Sequence, residues 1–209
     1  SLFSKMKGLS KAFAFFMKGT HVMGTIEANG IAMNMQHYRD IKEEMTNRII
    51  ELDNYLMKHD AMATIQKELT GAFQMYLDKI IVPKENVKPY ITQAWLNFTA
   101  EKQWHHKHAH PNSYLSCVMY VNADEKNDKI TFFDSGYQQI KLHPKEWNWH
   151  NSQSWYFTVK PGDIVVFPSS LEHMVEQKSG DNVRISLACN SFLRGKIGDN
   201  QSLTELIND

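Results

Sequence analysis

Between Pro83 and Pro89 the character of this sequence changes, and few architectures accommodate both sides of that boundary. Before it, apolar residues recur at helical spacing. Ile41, Met45, Ile49, Leu52 and Leu56 fall within Tyr38 to His59, and Ile65, Leu69, Phe73 and Leu77 within about Ala61 to Ile81. Each series gives a helix one apolar stripe to bury. After the boundary, short runs alternate polar with apolar residues and are rich in aromatic and β-branched types, the period-2 signature of strands. Such runs lie near Ile91–Thr99, Tyr114–Asn122, Lys129–Phe133, Gln138–Leu142, Trp155–Val159, Asp163–Phe167, His173–Gln177 and Val183–Phe192. Turn signals such as Pro161-Gly162 and Gly180-Asp181 separate them. A double-sheet jelly roll accommodates that many short strands, and helices packed on one of its sheets complete an α+β architecture.

With 209 residues, 42% hydrophobic and 22% charged, the chain can bury one substantial core. The expected organisation is a helical and loop region over 1–88 packed on a β core over 89–209, one structural domain overall. Lys+Arg and Asp+Glu both number 23, so no global field draws nucleic acid or an anionic membrane. Cys117 and Cys189 sit inside expected strands rather than at disulfide-framework spacing. They read as buried free thiols of a reducing compartment, which predicts a cytoplasmic location. Gly19 to Gln36 reads as a loop-rich connection. The apolar run Ala12 to Met17 is too short for a bilayer, and no small-residue cleavage site follows Lys18. Leu2, Met6, Leu9, Phe13 and Phe16, with Lys5, Lys7 and Lys11 between them, predict instead an amphipathic helix with a basic face. Such a helix docks on the body of the protein or on a second subunit, which makes a homo-oligomer compatible with the sequence.

The chemistry concentrates around four of the ten histidines: His105, His106, His108 and His110. Imidazole is the side chain best suited to a borderline transition metal, and ligands at i and i+2 of a strand share a face. Counting in twos from His108 puts His110, Asn112, Ser116 and Tyr120 on one face, with Leu115, Cys117, Met119 and Val121 on the other. The last strand repeats the pattern, Arg184, Ser186 and Asn190 opposing Ile185, Leu187 and Cys189. A guanidinium inside a barrel is costly without an anion, and its own strand supplies none. A ligand carboxylate held by bidentate hydrogen bonds is a natural partner for Arg184; the bland alternative is pairing with Asp163, Glu172 or solvent.

Taken together these segments resemble a known family. His108-Ala-His110 through Ser116, Val118-Met-Tyr120-Val, Ile130-Thr-Phe-Phe-Asp134, Pro161 through Pro168 to His173, and Arg184-Ile-Ser186-Leu-Ala-Cys-Asn190 look like the iron(II)/2-oxoglutarate-dependent oxygenases encoded by bacteria and marine phages. The resemblance runs from about Trp95 to Phe192. It implies a double-stranded β-helix, cupin-like, holding Fe(II) between two early ligands and one late histidine, with 2-oxoglutarate and O2 as co-substrates. Residue by residue, it implies His173 as the late ligand and Arg184, with Ser186 beside it, as the grip on the far carboxylate of 2-oxoglutarate. It likewise implies Tyr120 as a further hydrogen-bonding group there, and Asn190 completes the set of cofactor-binding candidates.

One departure stands out. The usual early motif is His-x-Asp or His-x-Glu, but two beyond His108 stands His110, and two beyond that Asn112. Three readings follow in order: a three-histidine site from His108, His110 and His173; a conventional set in which Asp134 reaches over; or a centre without iron chemistry. The resemblance implies hydroxylation of a C–H bond, by analogy with prolyl hydroxylases, in a peptide or small-molecule substrate, in the cytoplasm of a bacterial host if phage-encoded. A zinc hydrolase and a non-catalytic cupin-like binder are the rivals. Trp147, Trp149, Trp155 and Tyr156 are read as a substrate mouth, with Tyr114 and Asn112 near the metal.

Overall fold

The computed structural model describes residues 15–18, 60–134, 136 and 142–209. Two antiparallel sheets face each other. The larger has six strands: β1 (Phe15–Lys18), β7 (Asp163–Pro168), β4 (Leu115–Asn122) and β9 (Arg184–Ile197) in order, with β2 (Lys88–Thr99) and β10 (Leu206–Asn208) both pairing with β9. The smaller has four: β3 (His105–His108), β8 (His173–Val175), β5 (Lys129–Phe133) and β6 (Ser154–Thr158). This is the double-stranded β-helix, or jelly roll, that the strand pattern predicts. Among the described residues no helix is long and apolar enough to cross a membrane.

Period-2 alternation divides the core in two. On β4, Leu115, Cys117 and Met119 turn outward to join Ile164 and Val166 of β7 and Leu187 and Cys189 of β9. That face is covered by α1 (Ala63–Tyr76), whose Ile65, Leu69, Ala72, Phe73 and Tyr76 are buried against it. Tyr120, Val165 and Phe167 turn inward to meet Ile130 and Phe132 of the smaller sheet. Cys117 and Cys189 are register partners, free and buried, with Sγ atoms 2.8 Å apart.

Past α1 the chain makes a π-helical turn, Leu77–Ile81, and stops at Val82 in the left-handed conformation (φ 50), with Pro83 next to bar further helix. The expected helix within about Ala61 to Ile81 is thus present. The one expected over Tyr38–His59 lies outside the described residues, as does the loop Gly19–Gln36.

Several expectations are corrected. Phe15–Lys18, taken as part of an amphipathic helix, is instead a strand pairing with Asp163–Val166. Consecutive aromatics favour extended backbone, and the edge of β7 offers unpaired backbone groups to complete; the rest of that run lies outside the described residues. His105 and His106, read as the loop before the strand that carries His108, instead begin the edge strand β3; two of its residues face solvent, so no apolar alternation announces it. β9 runs on to Ile197 rather than ending at Phe192, and β10 follows it. Of the expected strand Gln138–Leu142, residues 138–141 lie outside the described set, and Leu142 is exposed and outside any strand.

Candidate metal centre

The sheet register itself builds the core of the site. β3 and β8 pair with His108 directly opposite His173, and directly opposed residues on one face of an antiparallel pair bring their side chains together. His110 follows β3 in a turn, its backbone N–H donating to Ser169 O at 2.9 Å. The three rings form a near-equilateral set, with centroids 4.4 Å (His108 to His173), 5.0 Å (His108 to His110) and 5.1 Å (His110 to His173) apart. Their ligand-capable nitrogens all lie within 4.8 Å of one another, so the group could hold a metal ion.

The donor chemistry fits a metal. His108 Nδ1 lies 2.7 Å from His106 O, and His173 Nδ1 3.0 Å from Leu171 O. A carbonyl only accepts, so each Nδ1 carries a proton and Nε2 is the position that a neutral ring leaves for a metal, the arrangement by which outer hydrogen bonds orient metal-binding imidazoles. Burial holds His173 near a pKa of about 4 despite its bond to Leu171 O, which favours the charged ring. Burial, then the neighbouring His108, lowers His110 to about 4 as well. Both rings are neutral at pH 7, as ligation requires. Phe167 packs edge-on to His173 at 4.7 Å and Trp95 lies 5.6 Å from His110, so the walls are apolar.

Asp134 stands apart from this group. It is exposed, and its Oδ1 accepts from the Gly136 N–H at 2.9 Å.

The inner faces of β4 and β9 line the same cavity. Val118 and Tyr120 enter from β4, Arg184, Ser186, Ala188 and Asn190 from β9, and Trp95 and Asn97 from β2. The single continuous strand expected to carry both His108 and Tyr120 is instead two strands in opposite sheets, broken by a turn in which Asn112 takes a left-handed φ of 56. The site survives because the sheets face each other. The cavity is small, about 60 Å³.

Asn190 is engaged in a polar cluster: its Oδ1 accepts from Ser116 Oγ at 2.8 Å and its Nδ2 donates to Gln93 Oε1 at 3.3 Å. Tyr120 is fully buried, which pushes its phenol well above the usual range. Arg184 is 3% exposed and donates through Nη2 to Thr99 Oγ1 at 3.1 Å. Its acidic neighbour is Asp128, 3.5 Å from Nη1, a residue the bland reading did not name. Lys178, wholly buried, lies 3.3 Å from the same Asp128 oxygen. Asp128 and Lys178 escaped the sequence reading because they sit in segments, Asp-Glu-Lys-Asn-Asp-Lys and Gln-Lys-Ser-Gly, that look like solvated turns. Trp95 and His105 also went unassigned, yet both line the cavity.

Trp147, Trp149, Trp155 and Tyr156, read as a substrate mouth, do not line the cavity itself. Trp147 is exposed, Trp155 and Tyr156 stack with Lys129 over the Tyr156 ring, and Tyr114 lines a separate groove beside Leu77 and Leu193.

Residues 93–190 match the profile of a protein family described as "Putative 2OG-Fe(II) oxygenase". Over that stretch, a little under half of the chain, it is similar to 2OG-Fe(II) oxygenases. The likeness implies Fe(II), 2-oxoglutarate and O2 as cofactor and co-substrates. Among solved structures, iron-bound HygX from Streptomyces hygroscopicus is similar at 10% identity and a TM-score of 0.52, over 90% of this chain and 85% of HygX. A 2OG-Fe(II) oxygenase family oxidoreductase from Burkholderia pseudomallei is similar at 14% identity and a TM-score of 0.42, over 65% of this chain. A Pseudomonas putida prolyl-4-hydroxylase is similar at 14% identity and a TM-score of 0.45, over 66% of this chain and 69% of the hydroxylase. The chain spans about half the length of the Burkholderia protein, 53%. At these identities the likeness speaks to the fold, and the HygX comparison carries it. No curated protein matches the chain.

Proposed function

We propose that this chain is an Fe(II)- and 2-oxoglutarate-dependent dioxygenase that hydroxylates a C–H bond, with His108, His110 and His173 as the iron ligands. The observation that carries the reading is the pairing of His108 with His173 across β3 and β8, in a cavity that also receives a buried Arg184. Bound iron and 2-oxoglutarate would supply the oxidising chemistry, with the co-substrate converted to succinate and carbon dioxide. The protein's own contribution is placement. Three imidazoles leave coordination positions open, and Arg184, with Ser186 and Tyr120 nearby, offers N–H and O–H donors to the far carboxylate. Phe167, Ile130 and Val118 keep the interior apolar. The substrate is read as a peptide residue or small molecule, with a peptidyl proline the first to try.

The test is conversion of 2-oxoglutarate to succinate by purified protein with Fe(II) and ascorbate. Arg184→Ala is expected to raise the 2-oxoglutarate concentration required by on the order of 100-fold, the scale of truncating one partner of a buried charge pair. His173→Ala is expected to abolish metal binding and turnover. Absence of turnover in the wild type across peptide and metabolite panels, with metal still bound, would overturn the reading. Three imidazoles without a carboxylate are also what hydrolytic zinc uses. Metal analysis of protein purified under argon separates the two, and Arg184 favours iron because a hydrolase has no use for a buried dicarboxylate grip.

A further inference from the structure

Arg184 does not stand alone at its end of the cavity. Asp128, Lys178 and Arg184 form a buried trio, their side chains 0%, 0% and 3% exposed. Two cations share one anion, so the trio carries a net charge of +1 in a place water barely reaches. Charges so placed persist only if paired. Both cations meet the same carboxylate oxygen. Asp128 Oδ1 is 3.3 Å from Lys178 Nζ and 3.5 Å from Arg184 Nη1, and Oδ2 accepts from the Asp124 N–H at 2.8 Å. Lys178 is fixed from its other side by donating to Asn182 Oδ1 at 2.7 Å and Ser179 O at 3.2 Å. Its ammonium is therefore committed to Asp128 and to the loop before β9. Of the guanidinium's five N–H donors, one goes to Thr99.

We propose that Lys178 is a positioning residue for co-substrate binding, which acts by occupying the charge of Asp128 so that Arg184 keeps an unneutralised positive charge for a ligand carboxylate. The proposal rests on the reading of Arg184 as the grip on 2-oxoglutarate. Without Lys178, Asp128 and Arg184 make a closed neutral pair, and a second carboxylate meets competition from the first. Without Asp128, two cations face the cavity and an incoming carboxylate is drawn more strongly. Removing both returns the local charge to +1. Opposite signs for the single variants and recovery in the double are the mark of charge allocation. A purely structural role predicts loss in both singles and further loss in the double.

The experiment titrates 2-oxoglutarate into the Fe(II)-loaded full chain under argon by calorimetry, for wild type, Lys178→Met, Lys178→Arg, Asp128→Asn, Arg184→Ala and the double Lys178→Met/Asp128→Asn. Lys178→Met should weaken binding about tenfold or more, Asp128→Asn should tighten it, and the double should return to within about threefold of wild type, the non-additivity expected of charges in contact. Lys178→Arg should stay close to wild type. Pyruvate, a 2-oxo acid lacking the far carboxylate, should bind all variants alike. Asp128→Asn leaves two buried cations without their shared anion and is the variant most prone to fail in folding; the double replaces a buried ion pair by neutral groups, a change proteins commonly tolerate. Weakening in both single variants, or a double weaker than either, overturns the proposal. If Arg184→Ala binds 2-oxoglutarate as wild type does, the reading of Arg184 falls first, and this proposal with it. If Arg184→Ala loses binding while Lys178→Met does not, that reading stands and this one falls.

Discussion

The position most open to a decisive substitution is His110. The usual family motif places a carboxylate two residues after the first histidine, and here that place is held by a neutral imidazole whose ring lies 5.0 Å from His108 and 5.1 Å from His173. If the three-histidine set is the ligand set, His110→Asp supplies the carboxylate that completes the common facial arrangement. It should retain iron binding and succinate formation within about tenfold, whereas His110→Ala should lose on the order of 100-fold or more in metal affinity, beyond the ~10–100-fold attributed to loss of an outer-shell partner alone. Equilibrium metal titration read against turnover checks both. Equal, mild effects in the two variants would remove His110 from the set.

Among the elements, β9 organises the sheet, pairing with β4 along one edge and with β2 and then β10 along the other. Its course depends on Gly195, at φ 109, where an added Cβ would lie 2.9 Å from Asn86 O. Gly195→Ala should therefore destabilise the fold by more than about 1 kcal/mol through backbone strain and close approach, without altering metal affinity, as denaturant unfolding and metal titration would show. The same glycine explains a gap between sequence and structure. Arg194-Gly195-Lys196 interrupts apolar alternation, so the strand seems to end at Phe192 although backbone pairing continues to Ile197. Alternation made Lys129–Phe133 legible to the residue, because its middle positions are buried in the sandwich. It could not reveal β3, whose His106 and Lys107 face solvent. In the site, His173 and Arg184 were legible because they ride on well-patterned strands. Asp128 and Lys178 were not, because burial of a charged turn depends on partners far along the chain: Lys178 is 50 residues from Asp128 in sequence but 3.3 Å away in space.

For the whole molecule, the site makes stability depend on pH in a stated direction. Burial lowers the ring pKa values of His105, His110 and His173 from their ordinary 6.5, the last two to about 4. Between about pH 6.5 and 4 the unfolded chain binds protons on these rings and the folded chain does not, so acid favours unfolding. The corresponding stability is fully present above pH 6.5 and is lost as pH falls toward 4. Exposed carboxylates with lowered values, Asp124 and Asp199, act in the same direction from an ordinary value of 3.8, so their window lies lower and is separable. Thermal unfolding of the metal-free protein should thus show Tm falling steadily from pH 7 to pH 4.5. His173→Gln, a neutral replacement of similar size, should flatten that slope while lowering Tm at pH 7. Iron should raise Tm most at neutral pH and least near pH 5, where protons compete for the same nitrogens. A pH-independent Tm over this range, or a slope unchanged in His173→Gln, would mean that the rings take up protons in the fold as they do in the unfolded chain, and burial could no longer be invoked to hold them neutral.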